Sequence, residues 1–157
     1  MKRTLILAIA TIAFNAGPAW AAGGGTDPAH AEPKDPALAA IQAAVGKSDW
    51  AQARALARAG IEKDASNADY HNLYAYAIRM GAKPEMDLVF KHYNEALRLD
   101  PKHRRAHEYL GEAYLMVGNL GKAKEQLKRL DDLCFFSCAE FTMLKKAIAD
   151  YEARNPG

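Results

Sequence analysis

Two cysteines near the end of the chain are the residues best able to do chemistry. Cys134 and Cys138 stand four residues apart, with Phe135-Phe136-Ser137 between them. On a continuous helix their Cβ atoms would lie about 6 Å apart, whereas a disulfide requires roughly 4 Å. A disulfide therefore requires a break in the helix between them, and it would join the segments on either side of that break.

The same two cysteines could instead stay reduced and form a thiol-redox or copper-binding pair. A thiolate at Cys138 would be favoured near the N-terminus of a helix. Copper sites usually add His or Met ligands, yet Met143 is the only such donor nearby and no histidine follows His107. Thioredoxin-like catalysts carry Cys-x2-Cys on an α/β fold. The sequence favours the disulfide, and a thiol-redox or copper-handling protein is the alternative.

The histidines show no spacing typical of a metal site, in which a pair one helical turn apart is joined by a third donor. The sequence also lacks a glycine-rich phosphate loop, a His-Glu-x2-His zinc helix, a Gly-x-Ser-x-Gly elbow and a Cys-x2-Cys-His haem site. We therefore predict no catalytic residue, no metal site, no cofactor and no enzymatic activity. The five histidines are His30, His71, His92, His103 and His107.

The composition is that of an ordinary globular protein. Of the 157 residues, 50% are hydrophobic and 25% are charged. The 21 basic and 19 acidic residues become equal in number if Lys2 and Arg3 are removed with a leader segment. A balanced charge gives no field that would attract nucleic acid or anionic lipid. Neither is predicted as a partner.

The first 35 residues read as an export signal and a linker. Lys2 and Arg3 precede the apolar run 5–14, and Ala19-Trp20-Ala21 forms a small-residue cleavage site. That run is about half of the roughly twenty residues that a membrane span needs. We predict a signal peptide at 1–21, a flexible Gly- and Pro-rich linker at 22–35, and a periplasmic or secreted protein without a membrane span after cleavage.

The rest of the chain predicts an all-α domain over residues 36–157. Helical spacing of apolar residues recurs from Pro36 onward, with the helix formers Ala, Leu, Lys, Glu and Arg throughout. Short connections between consecutive helices predict antiparallel hairpins. The predicted helix starts are Asp35-Pro36, Ser48 or Asp49, Asn67, Pro84, the residues after Pro101, and Asn119.

A repeated motif identifies the kind of helical domain. His107-x2-Leu110-Gly111-x2-Tyr114, followed by Ala123-x3-Leu127, resembles the tetratricopeptide repeat. The resemblance implies a short α-solenoid of about three hairpins, at about 36–66, 67–101 and 102–135. We expect Gly111 to be small so that the two helices of its hairpin can approach each other.

The earlier units match the pattern less closely. In the second unit we align Tyr70-x2-Leu73-Tyr74 with the motif, which places Leu73 37 residues before Leu110. That alignment implies about three extra residues in the turn before Pro84. The first unit is degenerate, as terminal repeats often are.

A last helix is predicted to cover the exposed end of the third hairpin. Ser137-x2-Glu140 has the form of a capping box, in which the serine would cap a helix at about 138–154. Ser137 as N-cap would also supply the chain break that the disulfide needs.

The resemblance also implies where a partner would bind, because the first helices of tetratricopeptide hairpins line a concave groove. It predicts a non-catalytic adaptor or assembly factor that binds a peptide or helix of another envelope protein. A self-assembling homo-oligomer that packs through Ala39, Ala43 and Ala53 is a further alternative. The predicted groove residues are Asn72, Ile78, Arg79, Arg105, Glu108, Tyr109 and Glu112.

Overall fold

The computed structural model describes residues 35–156, so the predicted signal peptide and all of the predicted linker except Asp35 lie outside the described residues. The described residues form helices joined by turns, with no strand among them, and none of these helices is long and apolar enough to cross a membrane. The prediction of an all-α fold is confirmed. The helices are α1 (Pro36–Gly46), α2 (Trp50–Lys63), α3 (Ala68–Arg79), α4 (Met86–Leu99), α5 (Arg104–Met116), α6 (Leu120–Leu133) and α7 (Ala139–Arg154).

Side-chain caps explain where several of these helices begin. The carboxylate of Asp35 accepts a hydrogen bond from the Ala37 amide at 2.8 Å, and Asp49 caps α2 in the same way. Asn67 and Asn119 cap α3 and α6. Each side chain satisfies a backbone N–H that the first turn of a helix leaves without a partner. These four predicted helix starts are confirmed.

The repeat is 36 residues long in the structure, not 37. Helices α3 and α5 begin 36 residues apart, whereas α4 and α6 begin 34 residues apart. The turn before α4 spans residues 80–85, three more than the turn at 117–119 before α6, as the alignment implied. His71 is therefore the counterpart of His107, and the predicted alignment of Tyr70 with His107 is wrong by one residue. The error arose because α3 is buried on nearly every side, which leaves several apolar registers to choose from.

The packing order places the odd-numbered helices on the inside of the solenoid. Helix α3 contacts both α1 and α5, and α5 contacts α7. Within residues 35–156, α2, α4 and α6 pack against the odd-numbered helices and not against one another. The odd-numbered helices therefore lie closer together and form the concave side. Helix α7 takes the place that the first helix of a fourth unit would occupy.

Two glycines mark the tightest contacts between helices. A Cβ atom on Gly111 would lie 2.5 Å from Leu144 Cδ2, so this glycine allows α5 to approach α7. The prediction that Gly111 serves the contact between α5 and α6 is wrong. A Cβ atom on Gly60 would lie 2.5 Å from Tyr70 Cδ1, so Gly60 allows α2 to approach α3.

The predicted capping box before α7 is absent. Cys138 is the N-cap residue of α7 and makes no capping hydrogen bond through its side chain. Ser137 Oγ lies 3.4 Å from Thr142 Oγ1 instead. Glu140 is 4% exposed, and its Oε2 lies 4.0 Å from Arg104 Nε on α5. Glu140 therefore contributes to the contact between α5 and α7 rather than to a cap.

Candidate functional site

The predicted groove residues divide into accessible and inaccessible ones. Ile78 is 2% exposed and packs in the main core with Val89 and Tyr93. Asn72 is 1% exposed. Both belong to α3, which is enclosed by α1, α2, α4 and α5. Ile78 and Asn72 are thus enclosed, as is Glu108 on α5 at 2% exposed, and the assignment of these three residues to an accessible groove is corrected.

Arg79 organises the middle of the concave side. Its guanidinium pairs with Glu112 Oε2 at 2.8 Å and donates from Nε to the Tyr93 hydroxyl at 3.3 Å. It also lies over the rings of Tyr76 and Tyr109, at 5.3 and 5.5 Å from the ring centroids. Those two rings stack at 4.5 Å. Arg79, Tyr76, Tyr93, Tyr109 and Glu112 form what we call the Arg79 cluster.

The Arg79 cluster brings α3, α4 and α5 together and holds its side chains in place. The Arg79 side chain is only 7% exposed, whereas that of Glu112 is 28% exposed, and Tyr76 and Tyr109 are half-buried. Burial, followed by the charge of Glu108, raises the pKa of Tyr109 to about 12, so its hydroxyl stays neutral. The face open to a partner therefore consists of two aromatic rings and one carboxylate.

Two buried polar side chains lie at equivalent positions on the inner helices. Among residues 35–156, Asn72 Oδ1 and Glu108 Oε2 are the buried side-chain atoms that have no hydrogen-bond partner. The two residues are 36 positions apart, one repeat length. Burial, with the nearby charges of Glu112 and Glu140, raises the pKa of Glu108 to about 8. Glu108 is therefore mostly protonated at neutral pH.

The basic residues at the start of α5 have acidic neighbours. His103 Nε2 lies 3.1 Å from Asp69 Oδ1, and Arg104 faces Glu140. Arg105 is half-buried, and its positive charge helps to lower the pKa of Asp69 after the larger effect of His103. These contacts connect α5 to α3 on one side and to α7 on the other.

The two cysteines lie at the junction of α6 and α7. Their sulfurs are 2.05 Å apart, at disulfide distance, and their Cα atoms are 5.8 Å apart. Helix α6 ends at Leu133 and α7 begins at Ala139, so the helix break required for this bond is present. The short loop that the bond closes exposes Phe135 and Phe136 at 94% and 93%.

A contact between two histidines was not predicted from the sequence. His71 Nδ1 lies 2.9 Å from His92 Nδ1, and His71 Nε2 lies 3.1 Å from the Ala65 carbonyl oxygen. In the next unit His107 Nδ1 lies 2.8 Å from Gln126 Oε1. His71 corresponds to His107, and His92 corresponds to Gln126, one unit apart. The repeat was therefore the signal that could have indicated that His71 and His92 face each other.

No cluster of three metal-ligating side chains occurs in the described part of the chain. His30, the remaining histidine of the sequence, lies outside the described residues.

Known proteins resemble this chain in structure rather than in sequence. No protein-family model and no curated protein matches it. The Yersinia enterocolitica type III secretion translocator chaperone SycD matches with a TM-score of 0.67 and 14% identity, over 78% of this chain and 85% of SycD. SycD has also been solved in complex with a peptide of the translocator YopD.

Two further structures carry the name of the repeat. The TPR2B domain of yeast Sti1, solved as a complex with pHsp70, has a TM-score of 0.66 and 18% identity, over 76% of this chain and 96% of that domain. A thermophilic TPR protein of Thermus thermophilus has a TM-score of 0.64 and 15% identity, over 80% of this chain and 68% of that protein. The chain therefore has the tetratricopeptide-repeat fold.

Proposed function

We propose that this protein is an exported, non-catalytic adaptor or assembly factor that binds a peptide or helix of another envelope protein on its concave side. The observation that carries the proposal is the Arg79 cluster, which presents the rings of Tyr76 and Tyr109 beside the carboxylate of Glu112. Buried aromatic and arginine side chains are the groups that most often dominate binding between proteins.

The fold supports this mode of binding. SycD and the Sti1 domain have the same arrangement of helices, and their structures include complexes with a YopD peptide and with pHsp70. The concave side of the present chain spans α3 and α5, which together offer a surface long enough for a few residues of an extended segment or two turns of a helix.

The side chains of the Arg79 cluster are already ordered before a partner binds. Arg79 is already paired and stacked, so little side-chain order remains to be imposed when a partner arrives. Apolar side chains of the partner would pack on the two tyrosines. A basic side chain of the partner would lie near Glu112, whose carboxylate is the most accessible charge of the Arg79 cluster.

The proposal can be tested by changing one charge on each side of the solenoid. Glu112→Gln removes the accessible carboxylate of the Arg79 cluster, and Glu125→Gln, on the exposed face of α6, makes the same change outside the groove. We expect the first variant to recover much less of a specific partner from envelope extracts, and the second to recover as much as the wild type.

Two results would decide against the groove. One is unchanged recovery with Glu112→Gln under conditions where far-UV circular dichroism and thermal unfolding match the wild type. The other is equal loss of recovery with Glu125→Gln, because that residue lies on the outer side.

Export is part of the proposal. The apolar run 5–14 and the small residues before Ala22 support a signal peptide that is cleaved between Ala21 and Ala22. Mass spectrometry of the protein from an exporting cell should find Ala22 as its first residue. A protein that keeps Met1 would contradict this part of the proposal.

A further inference from the structure

The inner helices α3 and α5 each end at an exposed methionine. Met80, the C-cap residue of α3, is 40% exposed, and Met116, the last residue of α5, is 51% exposed. The two methionines are one repeat length apart in the sequence, so they occupy equivalent places on neighbouring helices. We call Met80 and Met116 the methionine row.

The methionine row continues the surface of the Arg79 cluster. Met80 follows Tyr76 by four residues, and Met116 follows Glu112 by four. A spacing of four residues places both members of a pair on the same face of their helix. The salt bridge of the Arg79 cluster joins α3 to α5 at this level. The concave side therefore carries two apolar rows side by side, namely the stacked rings of Tyr76 and Tyr109 and the methionine row.

A cavity extends the methionine row toward α7. Its volume is about 430 Å³, and it lies between the last turns of α5 and α7. Leu115, Met116 and Tyr151 line it, together with Arg154 and Asn155. Leu115 and Tyr151 are half-buried, so the cavity offers an apolar wall that is still open to solvent. It is large enough to receive an apolar side chain of a partner.

The concave side offers few groups that could bind the backbone of a partner. Asn72 and Glu108 are 1% and 2% exposed, so both are out of reach. The guanidinium of Arg79 is already bound to Glu112 and to the Tyr93 hydroxyl. An extended segment pressed onto the apolar rows would leave backbone N–H and C=O groups without partners, and each such group is costly. A helix satisfies its own backbone and presents only side chains.

The spacing of the inner helices also fits a helical partner. Packed helices lie about 10 Å apart, and α3 contacts α5. Two residues seven positions apart lie on one face of a helix, also about 10 Å from each other. A helix that crosses α3 and α5 can therefore place one apolar residue beside Met80 and another, seven positions later, beside Met116. The next apolar residue of the same face would reach the cavity.

We propose that the partner of this protein binds as an amphipathic helix, whose apolar face lies across α3 and α5 on the methionine row and on the rings of Tyr76 and Tyr109. This inference rests on the proposed function, because it concerns the segment that is bound on the concave side. Methionine has a flexible, polarisable side chain that adapts to apolar surfaces of different shape. The methionine row therefore accepts helices that differ in their apolar residues.

Two synthetic peptides of about 18 residues distinguish a helical from an extended partner. Both contain leucine and lysine in equal numbers. In the first peptide the leucines follow the helical period, and in the second leucine and lysine alternate as in a strand. Fluorescence anisotropy should show that the first peptide binds the wild type about ten times more tightly than the second. Circular dichroism should show that the first peptide is helical when bound.

Exchanging the two methionines tests the surface itself. Met80→Gln with Met116→Gln should weaken the binding of the helical peptide about tenfold, because apolar contact area is lost. Met116→Gln alone, at the more exposed position, should weaken it about threefold. Phe135→Gln with Phe136→Gln is the matched control, because it changes two exposed apolar side chains in the loop after α6. This control should bind the helical peptide as the wild type does, and thermal unfolding checks that each variant is folded.

Equal binding of the two peptides, unchanged binding in both methionine variants, or equal weakening in the phenylalanine control would overturn the proposal. A wild type that binds neither peptide would overturn it as well. If Glu112→Gln still reduces the recovery of an envelope protein in that case, the groove remains the binding site and only the helical form of the partner is wrong. If it does not, the proposed function fails too.

Discussion

His71 and His107 hold equivalent places in consecutive units, but their partners differ. Each Nε2 lies near the carbonyl oxygen of the residue six positions earlier, at 3.1 Å for Ala65 and 3.0 Å for Pro101. A carbonyl can only accept, so Nε2 of each ring carries a proton, and Nδ1 of a singly protonated His71 accepts. Nδ1 of His92 must then donate to His71. The second unit, which has Gln126 in that place, contains no such histidine pair.

Because only the α3–α4 hairpin contains the contact between His71 and His92, we expect this hairpin to make the stability of the protein depend on pH. Burial, then the charges of His71 and Lys91, lower the pKa of His92 to about 4 against a weaker opposite effect of Glu95. The ordinary pKa of a histidine is 6.5. Between these values the unfolded chain binds more protons, so the free energy of unfolding falls as the pH falls. Below about pH 4 the loss of stability caused by His92 is complete.

Between pH 7 and pH 5 we expect the free energy of unfolding to fall by about 1 kcal/mol less in His92→Gln than in the wild type. This value is reduced for the partial exposure of His92. The glutamine amide would still donate to His71 Nδ1. Urea unfolding at the two pH values measures the loss. Gln126→His is the reciprocal control, because it should add a similar loss in the second unit. Equal losses in the wild type and His92→Gln would contradict the assignment.

At the scale of the helix, close approach depends on Gly60 and Gly111. Tyr70, which meets Gly60, is 1% exposed, and its hydroxyl donates to Asp35 Oδ2 at 2.5 Å. The ring is therefore fixed at both ends and cannot turn away from an added methyl group. Leu144, which meets Gly111, is also buried, but its terminal carbons are more able to adjust.

Gly60→Ala should destabilise the protein even though alanine is the better helix former. The preference for alanine within a helix is worth about 1 kcal/mol, whereas overpacking of a closely fitted contact costs about 1–3 kcal/mol. We expect a net loss of about 1 kcal/mol in the free energy of unfolding, measured with urea. Gly46→Ala is the control, since a Cβ atom there would meet nothing within 4 Å. A Gly60→Ala protein as stable as Gly46→Ala would contradict the close contact.

The helices could be predicted from the sequence where their signals are local. Asp35, Asp49, Asn67 and Asn119 cap the helices that they were predicted to open, because a cap involves only a side chain and the next two or three backbone amides. The capping pattern at Ser137 was overridden by a tertiary contact. Glu140, the other half of that pattern, is buried beside Arg104 on a different helix.

The candidate site was predictable only in part. The resemblance indicated the correct inner helices, and it brought Arg79, Tyr109 and Glu112 into one set. It could not show that Ile78 is enclosed, because the burial of α3 depends on four neighbouring helices. The contact between His71 and His92 joins residues 21 positions apart, which no local pattern reveals.

Taken together, the described helices form a solenoid whose concave side carries the Arg79 cluster. The α6–α7 loop exposes Phe135 and Phe136. Of the alanines considered for self-assembly, Ala53 is 0% exposed, so that part of the expectation is wrong.

In the proposed complex, a segment of another protein lies against α3 and α5. Photo-crosslinking in the exporting cell tests it most directly, with the reactive side chain placed at Glu112 on the concave side and, as control, at the exposed Glu125 on α6. We expect one specific crosslinked protein from position 112 and none from position 125. The same products from both positions, or products from position 125 alone, would contradict it.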